Sequence, residues 1–339
     1  EMSASLVGSE MCIRDRVNSA RVRPLSYKIT PDCVGDTVTF SLSRPRNLSV
    51  EVNGDIFHNL HLFANPIDKF RPSDKEIQRA LKKKKGSNLI YFGPGVHNLP
   101  NDTLFVPSGT TVYIDGGARV YGNIFTEGAH DVNIFGRGEV HPDGRGAGVW
   151  VRRSKNVRID GIVVSQLPIG QCDSVELTNV KSISYYGWGD GMDVFSSSNV
   201  ILDGVFCRNS DDCAAVYAST QGFKGGSNNV LVKNATLWAD VAHPINIGGH
   251  GDPNGMDTVQ NVTFRNIDIL DQAEKQIDYQ GCLAINPGDN TLVRNITFEN
   301  IRIEDFRNGQ LVNFRISFNP KYCVSTGRGI QNVLVKDVT

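Results

Sequence analysis

Apolar and polar residues alternate along most of the chain from residue 88 onward. Short segments open with Asn-Val, Asn-Ile or a similar pair and continue with apolar residues at every second position. They are DVNIFG (131–136), NVRIDGIVV (156–164), VELTNVKSI (175–183), NVILDGVF (199–206), NVLVKNATL (229–237), NVTFRNIDI (261–269), NITFENIRI (295–303) and NVLVKDV (332–338). An apolar period of two is typical of strands, whereas helical repeats would need a period of 3.6.

These segments recur at intervals that grow from about twenty residues to the high thirties. Imperfect repeats of this length indicate a solenoid, in which each unit buries its apolar face on its neighbours. Alternating Val, Ile and Leu with interspersed Asn, Asp and Gly predicts an all-β, right-handed parallel β-helix over residues 69–339. We expect the Asn side chains to bridge neighbouring coils. A solenoid needs a cap over its last coil, and the final repeat stops in mid-pattern at Thr339, so we expect the domain to be C-terminally truncated.

A different pattern precedes the repeats. The stretches RPLSYKITP (23–31), DTVTFSLS (36–43) and LSVEVNG (48–54) predict strands of a small β-sandwich-like domain over residues 17–68. A short helix is expected next, because Ser73 is a good N-cap and Glu76 completes a capping box. We expect the run Lys82–Lys85 to end this helix, where cations interact favourably with the helix dipole.

The first sixteen residues, EMSASLVGSEMCIRDR, resemble a translated sequencing-adaptor tract, and we expect this leader (1–16) to be non-native. They lack the basic start and the long apolar stretch of a signal peptide.

Composition narrows the class of protein. The chain of 339 residues has a formal net charge of −1, so no basic surface for nucleic acid is indicated. No apolar run approaches ~18 residues, which argues against a membrane-spanning helix. Seven cysteines occur without a CxxC pair, which argues against structural zinc. We expect a monomer without a cofactor.

The segment NSDDCAAVY (209–217) carries the first sign of chemistry, since Asp211 and Asp212 stand side by side before an apolar run. Regular strand alternation would turn one of them into the core, where an unpaired carboxylate is costly. We therefore expect the chain to bend at Ser210–Asp212, so that both carboxylates face outward while the residues after Cys213 resume the core pattern.

Two further residues fall at the spacing of one coil. Asp190 precedes Asp211 by 21 residues, and His243 lies one coil farther on. Because adjacent strands lie ~4.8 Å apart, three carboxylates should converge within roughly 5–9 Å. Such a cluster suits either a hard cation such as Ca²⁺ or acid–base catalysis, in which like charges keep one group protonated. The nearby histidine favours catalysis, and we predict no metal site.

At this point the residues resemble glycoside hydrolase family 28, the polygalacturonase-like enzymes. The matching stretches are DGMD (190–193), SDDC (210–213) and His243 with INIG (245–248), beside the family patterns NTDGxD, DDC and GHGxSIGS. The stretch ATLW (235–238) with HPINIG also resembles the dextranase-like family 49, whose members carry a β-sandwich before the β-helix. The resemblance covers about residues 25–339. It implies an inverting glycoside hydrolase on a parallel β-helix, acting on a poly- or oligosaccharide in an extracellular or periplasmic location.

The resemblance also implies roles. Asp211 matches the general acid, Asp190 and Asp212 match the pair that activates water, and His243 matches the histidine that supports the acid. For substrate binding we single out Trp188, which could stack on a sugar ring, together with His250 and Asp252 in the loop GGHGDPNG.

Some positions depart from the family pattern. The Arg-Ile-Lys motif that grips a uronate carboxylate corresponds here to GCLAIN (281–286), which has no cation. A buried uronate without a cationic partner is poorly stabilised, so we expect a neutral saccharide rather than simple polygalacturonase activity. Arg315 could supply the charge from another coil. Two alternatives stay open, namely a non-catalytic carbohydrate-binding β-helix and a polysaccharide lyase, which would need Ca²⁺ and a cation near the cluster.

Overall fold

The structure is a computed structural model that describes residues 3–7, by their backbone only, together with 16–82 and 86–339. Positions 1, 2 and 8–15 of the predicted leader, and the end of the lysine run at 83–85, lie outside the described residues. The chain divides into two compact units, Glu1–Lys69 and Phe70–Thr339.

The first unit consists of short antiparallel strands. They are β1 (Ser3–Val7), β2 (Ala20–Arg23), β3 (Asp32–Val34), β4 (Thr37–Thr39), β5 (Arg46–Val52) and β6 (Leu60–Asn65). One sheet has the order β1-β6-β5-β2, and β3 and β4 form a separate hairpin. Val22, Leu48 and Val50 are the buried centre of this unit, and partly buried aromatic and aliphatic side chains pack on them.

The predicted strands of this unit are confirmed in part. LSVEVNG lies within and just after β5, and only Thr37–Thr39 of DTVTFSLS is a strand. The prediction for RPLSYKITP is wrong, since β2 ends at Arg23 and a 3₁₀ turn, Leu25–Tyr27, follows. Pro24 explains the break, because proline has no N–H to donate to a strand ladder.

The second unit begins with the helix α1 (Asp74–Leu81), and its capping box is confirmed. The backbone N–H of Ser73 donates to the Glu76 carboxylate at 2.9 Å, and the N–H of Glu76 donates to the Ser73 hydroxyl at 3.4 Å. Ile77 is the buried residue of this helix.

The rest of the second unit is strand and loop. Its strands are β7 (Leu89–Phe92), β8 (Gly95–Phe105), β9 (Thr111–Ile114), β10 (Ala118–Glu127), β11 (His130–Gly136), β12 (Glu139–His141), β13 (Val149–Arg152), β14 (Lys155–Asp160), β15 (Val163–Val164), β16 (Ile169–Gly170), β17 (Asp173–Thr178), β18 (Lys181–Ile183), β19 (Val194–Phe195), β20 (Ser198–Asp203), β21 (Phe206–Asn209), β22 (Ala214–Tyr217), β23 (Ser227–Lys233), β24 (Thr236–Ala239), β25 (Ile245–Ile247), β26 (Thr258–Asp271), β27 (Leu283–Ile285), β28 (Leu292–Ile303), β29 (Val312–Phe314) and β30 (Gly329–Val338).

Each of these strands up to β28 pairs in parallel with a strand of the next coil, and β29 and β30 pair with the preceding one. The column that carries the candidate site runs β13, β16, β19, β22, β25, β27 and β29. This pairing confirms the predicted parallel β-helix. Equivalent apolar residues stack along the interior of another column and are all buried, namely Val157, Val175, Val200, Val230, Val262 and Ile296.

The Asn residues at the starts of the repeats bridge the coils as expected. Asn199 donates through Nδ2 to Oδ1 of Asp173 at 2.6 Å, and Asn229 donates to Oδ1 of Asn199 at 2.7 Å. Both Asn residues have φ of 57°, a left-handed conformation that Asn tolerates better than most residues. The Asn positions thus fix the corner of each coil and link it to the preceding one.

In the described part of the chain, no helix has the length and apolar character needed to cross a membrane. The six cysteines of that part are free thiols, and all except Cys33 are buried.

Candidate active site

A cavity of about 760 Å³ lies on the outer face of the column β19, β22 and β25, beneath the loops that surround it. Six of the predicted site residues line it, namely Trp188, Asp190, Asp211, Asp212, His243 and His250. They come from successive coils, so the structure brings together what the coil spacing predicted.

The bend before β22 is confirmed. Strand β21 ends at Asn209, β22 begins at Ala214, and the residues between them are bent or irregular. Ala214 then packs in the interior core, while Ala215 belongs to an outer cluster. The bend lets both neighbouring carboxylates reach the cavity, and one oxygen from each of Asp190, Asp211 and Asp212 lies within 4.8 Å of the others. The cluster is therefore tighter than the 5–9 Å expected.

Four donors surround the buried carboxylate of Asp212. Its Oδ1 accepts the backbone N–H of His243 at 3.0 Å and the imidazole Nδ1–H at 2.7 Å. Its Oδ2 accepts the Tyr217 hydroxyl at 2.6 Å and the Asn246 amide at 2.8 Å. Burial by itself would raise the pKa of Asp212, but the His243 charge and these hydrogen bonds lower it to about 2. Asp212 is therefore a fixed anion.

Both ring nitrogens of His243 face acceptors. Nδ1 contacts the Asp212 carboxylate, and Nε2 contacts the backbone carbonyl of Tyr279. A carbonyl and an ionised carboxylate can only accept, so the ring carries a proton on each nitrogen. Although burial lowers the pKa of His243, Asp212 and the Tyr279 carbonyl raise it to about 9. The family resemblance predicts that His243 supports Asp211, whereas its imidazole forms its hydrogen bond with Asp212.

The pKa values of the other two carboxyl groups of the cluster, Asp190 and Asp211, are shifted upward. Burial, followed by the charge of Asp212, raises the pKa of Asp211 to about 7. Burial and the neighbouring Asp211 and Asp212 also hold the pKa of Asp190 well above its usual range. Like charges at this spacing cannot all be ionised, so a proton stays in the cluster near neutral pH. One firmly ionised carboxylate thus faces the cavity beside two carboxyl groups of raised pKa that share a proton.

Several lining residues were missed from the sequence. Tyr217 lies on the outer face of β22 and donates its hydroxyl to Asp212. Asn246 pairs with Ala215 in the adjacent strand, and this register is the one signal that could have located it. Asp193 lines the cavity as a buried carboxyl group. Glu274 contributes a further buried carboxylate.

Two predicted binding residues are not in the cavity lining. Asp252 lies 3.6 Å from Lys224 and accepts the N–H of Asn254 within its own loop. Arg315 pairs with the exposed carboxylate of Asp278. Both assignments are therefore corrected, because each side chain already has a local partner that holds it outside the cavity.

The structure also corrects the expectation that no cation lies near the carboxylates. Lys275 and Lys321 line the cavity. The ammonium of Lys321 donates to the Tyr322 hydroxyl at 2.9 Å and lies 5.3 Å from the ring centre of Trp188. The hydrogen bond to Tyr322 is the main reason that the pKa of Lys321 is raised.

Aromatic side chains form the remaining walls. Trp188 is 62% exposed, and its ring meets that of Tyr322 edge to face at 6.5 Å. His250 packs edge to face on Tyr217 at 5.0 Å, and its burial lowers its pKa. The exposed Trp188 ring is available to a ligand, whereas His250 supports the floor of the cavity.

Known proteins resemble this chain in sequence. The family model Glycosyl hydrolases family 28 matches residues 142–339. A polygalacturonase of Juniperus ashei is 28% identical over an alignment of 268 residues, and the match covers 69% of this chain and 49% of that protein. The chain spans about half the length of the curated relatives it matches.

One solved structure shares the fold, and a second is a weaker match. The family 28 exopolygalacturonase of Yersinia enterocolitica superposes with a TM-score of 0.59 at 14% identity, covering 91% of this chain and 74% of that one. Dex49A from Penicillium minioluteum has a TM-score of 0.47 at 13% identity, covering 94% of this chain and 73% of the other.

Proposed function

The chain belongs to glycosyl hydrolases family 28, and from that premise we propose that its cavity hydrolyses glycosidic bonds in a poly- or oligosaccharide. The observation that carries the proposal is the opposed charge state of two adjacent carboxyl groups. The pKa of Asp212 is lowered to about 2 and that of Asp211 is raised to about 7. Glycoside hydrolysis needs this combination of a proton donor and an ionised partner.

In the proposed reaction, Asp211 gives its proton to the glycosidic oxygen as the bond from that oxygen to the anomeric carbon breaks. A water molecule held by Asp190, which is ionised in the state in which Asp211 carries the proton of the cluster, forms the new bond to the anomeric carbon. All four acceptor positions of Asp212 are filled by protein donors, so we assign the proton released by the water to Asp190. Exchange with solvent then returns a proton to Asp211 and removes one from Asp190.

The stereochemical outcome is a separate part of the proposal. The family resemblance implies inversion, yet inverting pairs of carboxyl groups are usually about 6.5–9.5 Å apart, and the closest oxygens here lie within 4.8 Å. Asp212 is poorly placed to act as a nucleophile because its oxygens are already engaged, which favours attack by water and inversion. Proton NMR of the first-formed product decides the point, since a retained anomeric configuration would reject this mechanism.

For the substrate we propose a saccharide that carries uronate groups. Lys275 and Lys321 line the cavity, and they supply the cationic partner whose expected absence had favoured a neutral sugar. A carboxylate paired with a cation in a partly desolvated site makes a strong hydrogen bond. Polymers of this kind lie outside the cell, so an extracellular or periplasmic location follows from the proposed substrate.

The first test uses Asp211→Asn, which keeps the shape of the side chain and removes the proton donor. Reducing ends released from polygalacturonate, and in parallel from dextran, should fall about 10²–10⁴-fold. Asp252→Asn, outside the cavity, is the matched control and should retain wild-type activity. Unchanged hydrolysis by a folded Asp211→Asn protein would contradict the assignment, and unsaturated products absorbing in the ultraviolet would show a lyase instead.

A further inference from the structure

Two loops that line the cavity contact each other. Trp188 lies in the loop before β19, and Tyr322 lies in the loop after β29. Their rings touch edge to face at 6.5 Å, and the Tyr322 ring also meets that of Tyr279 at 5.8 Å. Because β22, β25 and β27 separate β19 from β29 in this column, the contact spans the site. We call these three aromatic residues the arch.

A third loop closes the side that faces the earlier coils. It joins β22 to β23 and turns back, so that Phe223 stacks on Phe195 at a centroid distance of 6.2 Å. Phe223 also covers Gly170, where an added Cβ would lie 2.2 Å from its ring. Arg153 holds the loop from outside, with its guanidinium 5.0 Å from the Phe223 ring and a hydrogen bond of 3.4 Å to the carbonyl of Gly222.

The loop that carries Trp188 is tied to the same earlier coils. The hydroxyl of Tyr186 donates to the carbonyl of Gly146 and accepts its N–H at 3.2 Å. The side-chain amide of Gln166 donates to the carbonyl of Trp188 at 2.8 Å. The loop that carries Trp188 and the loop that carries Phe223 are therefore both fixed to the earlier coils by specific contacts.

The first residue in chain order that lines the cavity is Tyr185, in the loop that carries Trp188. Among the described residues, none from an earlier coil lines the cavity. The outer face of the same column continues into earlier coils, where Trp150 stands outward between the buried Val149 and Val151 and stacks on Phe125 at 6.2 Å. A groove open to a long chain would run on over this surface, yet neither aromatic residue lines the cavity.

We infer that the site takes the end of a saccharide chain or a short oligosaccharide, and that it does not cleave within a long chain. The inference rests on the proposed function and adds the position of the cleaved bond. An internal cut needs space for a chain to enter and leave the site, whereas the arch and the loop that carries Phe223 restrict the cavity, the loop on the side of the earlier coils. The cavity volume of about 760 Å³ is that of a pocket for a single small ligand. Trp188, Tyr322 and Phe223 are therefore residues that determine specificity.

The test follows the products of the full chain acting on polygalacturonate. Size-resolved chromatography and viscosity are recorded together with the release of reducing ends. Cleavage at chain ends predicts that the first product is a mono- or disaccharide while viscosity stays close to its starting value. An early spread of intermediate oligomers with a steep loss of viscosity would overturn the inference and leave the proposed function standing. The absence of reducing ends from every polysaccharide tested would instead overturn the proposed function, and the chain-end inference with it.

A variant that opens the cavity provides the second arm. Trp188→Ala with Tyr322→Ala breaks the contact across the arch and leaves Tyr279 and the carboxyl groups in place, and it should release intermediate oligomers that the wild type does not. The matched control is Phe105→Ala, since Phe105 is an exposed aromatic residue in the earlier coils, and its products should match those of the wild type. A short end-labelled oligogalacturonide cleaved by the double variant shows that the site still works. If the double variant cleaves this oligogalacturonide, an unchanged product pattern from the polymer would contradict the role of the arch.

Discussion

The raised pKa of Asp211 has a consequence for stability that can be measured without knowing the substrate. Its carboxyl group shifts from 3.8 to a pKa of about 7 on folding, mainly because it is buried and then because Asp212 is close. Ionising it in the folded protein therefore costs up to about 4 kcal/mol, and solvent around this partly exposed side chain reduces the cost to roughly 2–4 kcal/mol.

The sign of the effect follows from the direction of the shift. A folded-state pKa above the unfolded value means that the penalty is absent below pH 3.8, grows as the pH rises and is complete above about pH 7. Asp211→Asn removes the titrating group and keeps the oxygen that accepts the N–H of Asp212 at 3.1 Å. The variant should therefore gain stability over the wild type as the pH rises.

Urea unfolding at about pH 5 and about pH 8 measures this gain. Because part of the penalty is already present at pH 5, the free energy of unfolding of Asp211→Asn, minus that of the wild type, should be larger at the higher pH by roughly 1–2.5 kcal/mol. Asp252→Asn, which replaces a carboxylate outside the cavity, is the control and should show no such dependence. A difference that is the same at both pH values would refute the reasoning, because the carboxyl group would then not be raised in the folded state.

Two further predictions concern the candidate site. Tyr217→Phe removes one hydrogen bond to the buried Asp212, which is worth about 1.5–3 kcal/mol when the acceptor is charged, so the pKa of Asp212 should rise by roughly 1–2 pH units, as followed by NMR of its carboxyl carbon. Tyr91→Phe, which breaks a similar bond far from the site, should leave the pKa of Asp212 unchanged, and an unchanged pKa in Tyr217→Phe would contradict the prediction. Lys321→Met should raise KM for polygalacturonate roughly tenfold or more by removing a charge-assisted contact, whereas Lys224→Met outside the cavity should not. Equal KM values in the two lysine variants would argue against uronate binding.

The architecture was accessible from the sequence because its causes are local and repeated. Alternation of apolar residues decides which side chains face inward, and Asn at the coil corners tolerates the left-handed conformation found at Asn199 and Asn229. The first unit was harder to predict, since its short strands depend on pairing between distant segments. There Pro24 ended a strand that the pattern had continued, and β6 was not recognised.

The candidate site could be predicted from the sequence to the extent that the coil length is regular. Asp190, the neighbouring pair Asp211 and Asp212, and His243 meet because one repeat separates the pair from each of the other two. Side chains delivered by loops were not accessible in this way. Arg315 was expected to bring charge to the cavity and pairs with Asp278, while Lys321, which does line it, comes from a loop whose path no repeat specifies.

The sequence by itself determined the period of the solenoid, the position of the carboxylates and the bend that exposes them. Only the tertiary structure decided their charge states, because the pKa of Asp212 depends on Tyr217, Asn246 and His243 converging on two oxygens. It also decided the restriction of the cavity, in which Trp188 meets a residue from a loop several coils away. Alternation and spacing act within one repeat, whereas proton affinity and the restriction of the cavity arise from contacts between repeats, and these exist only once the chain has folded.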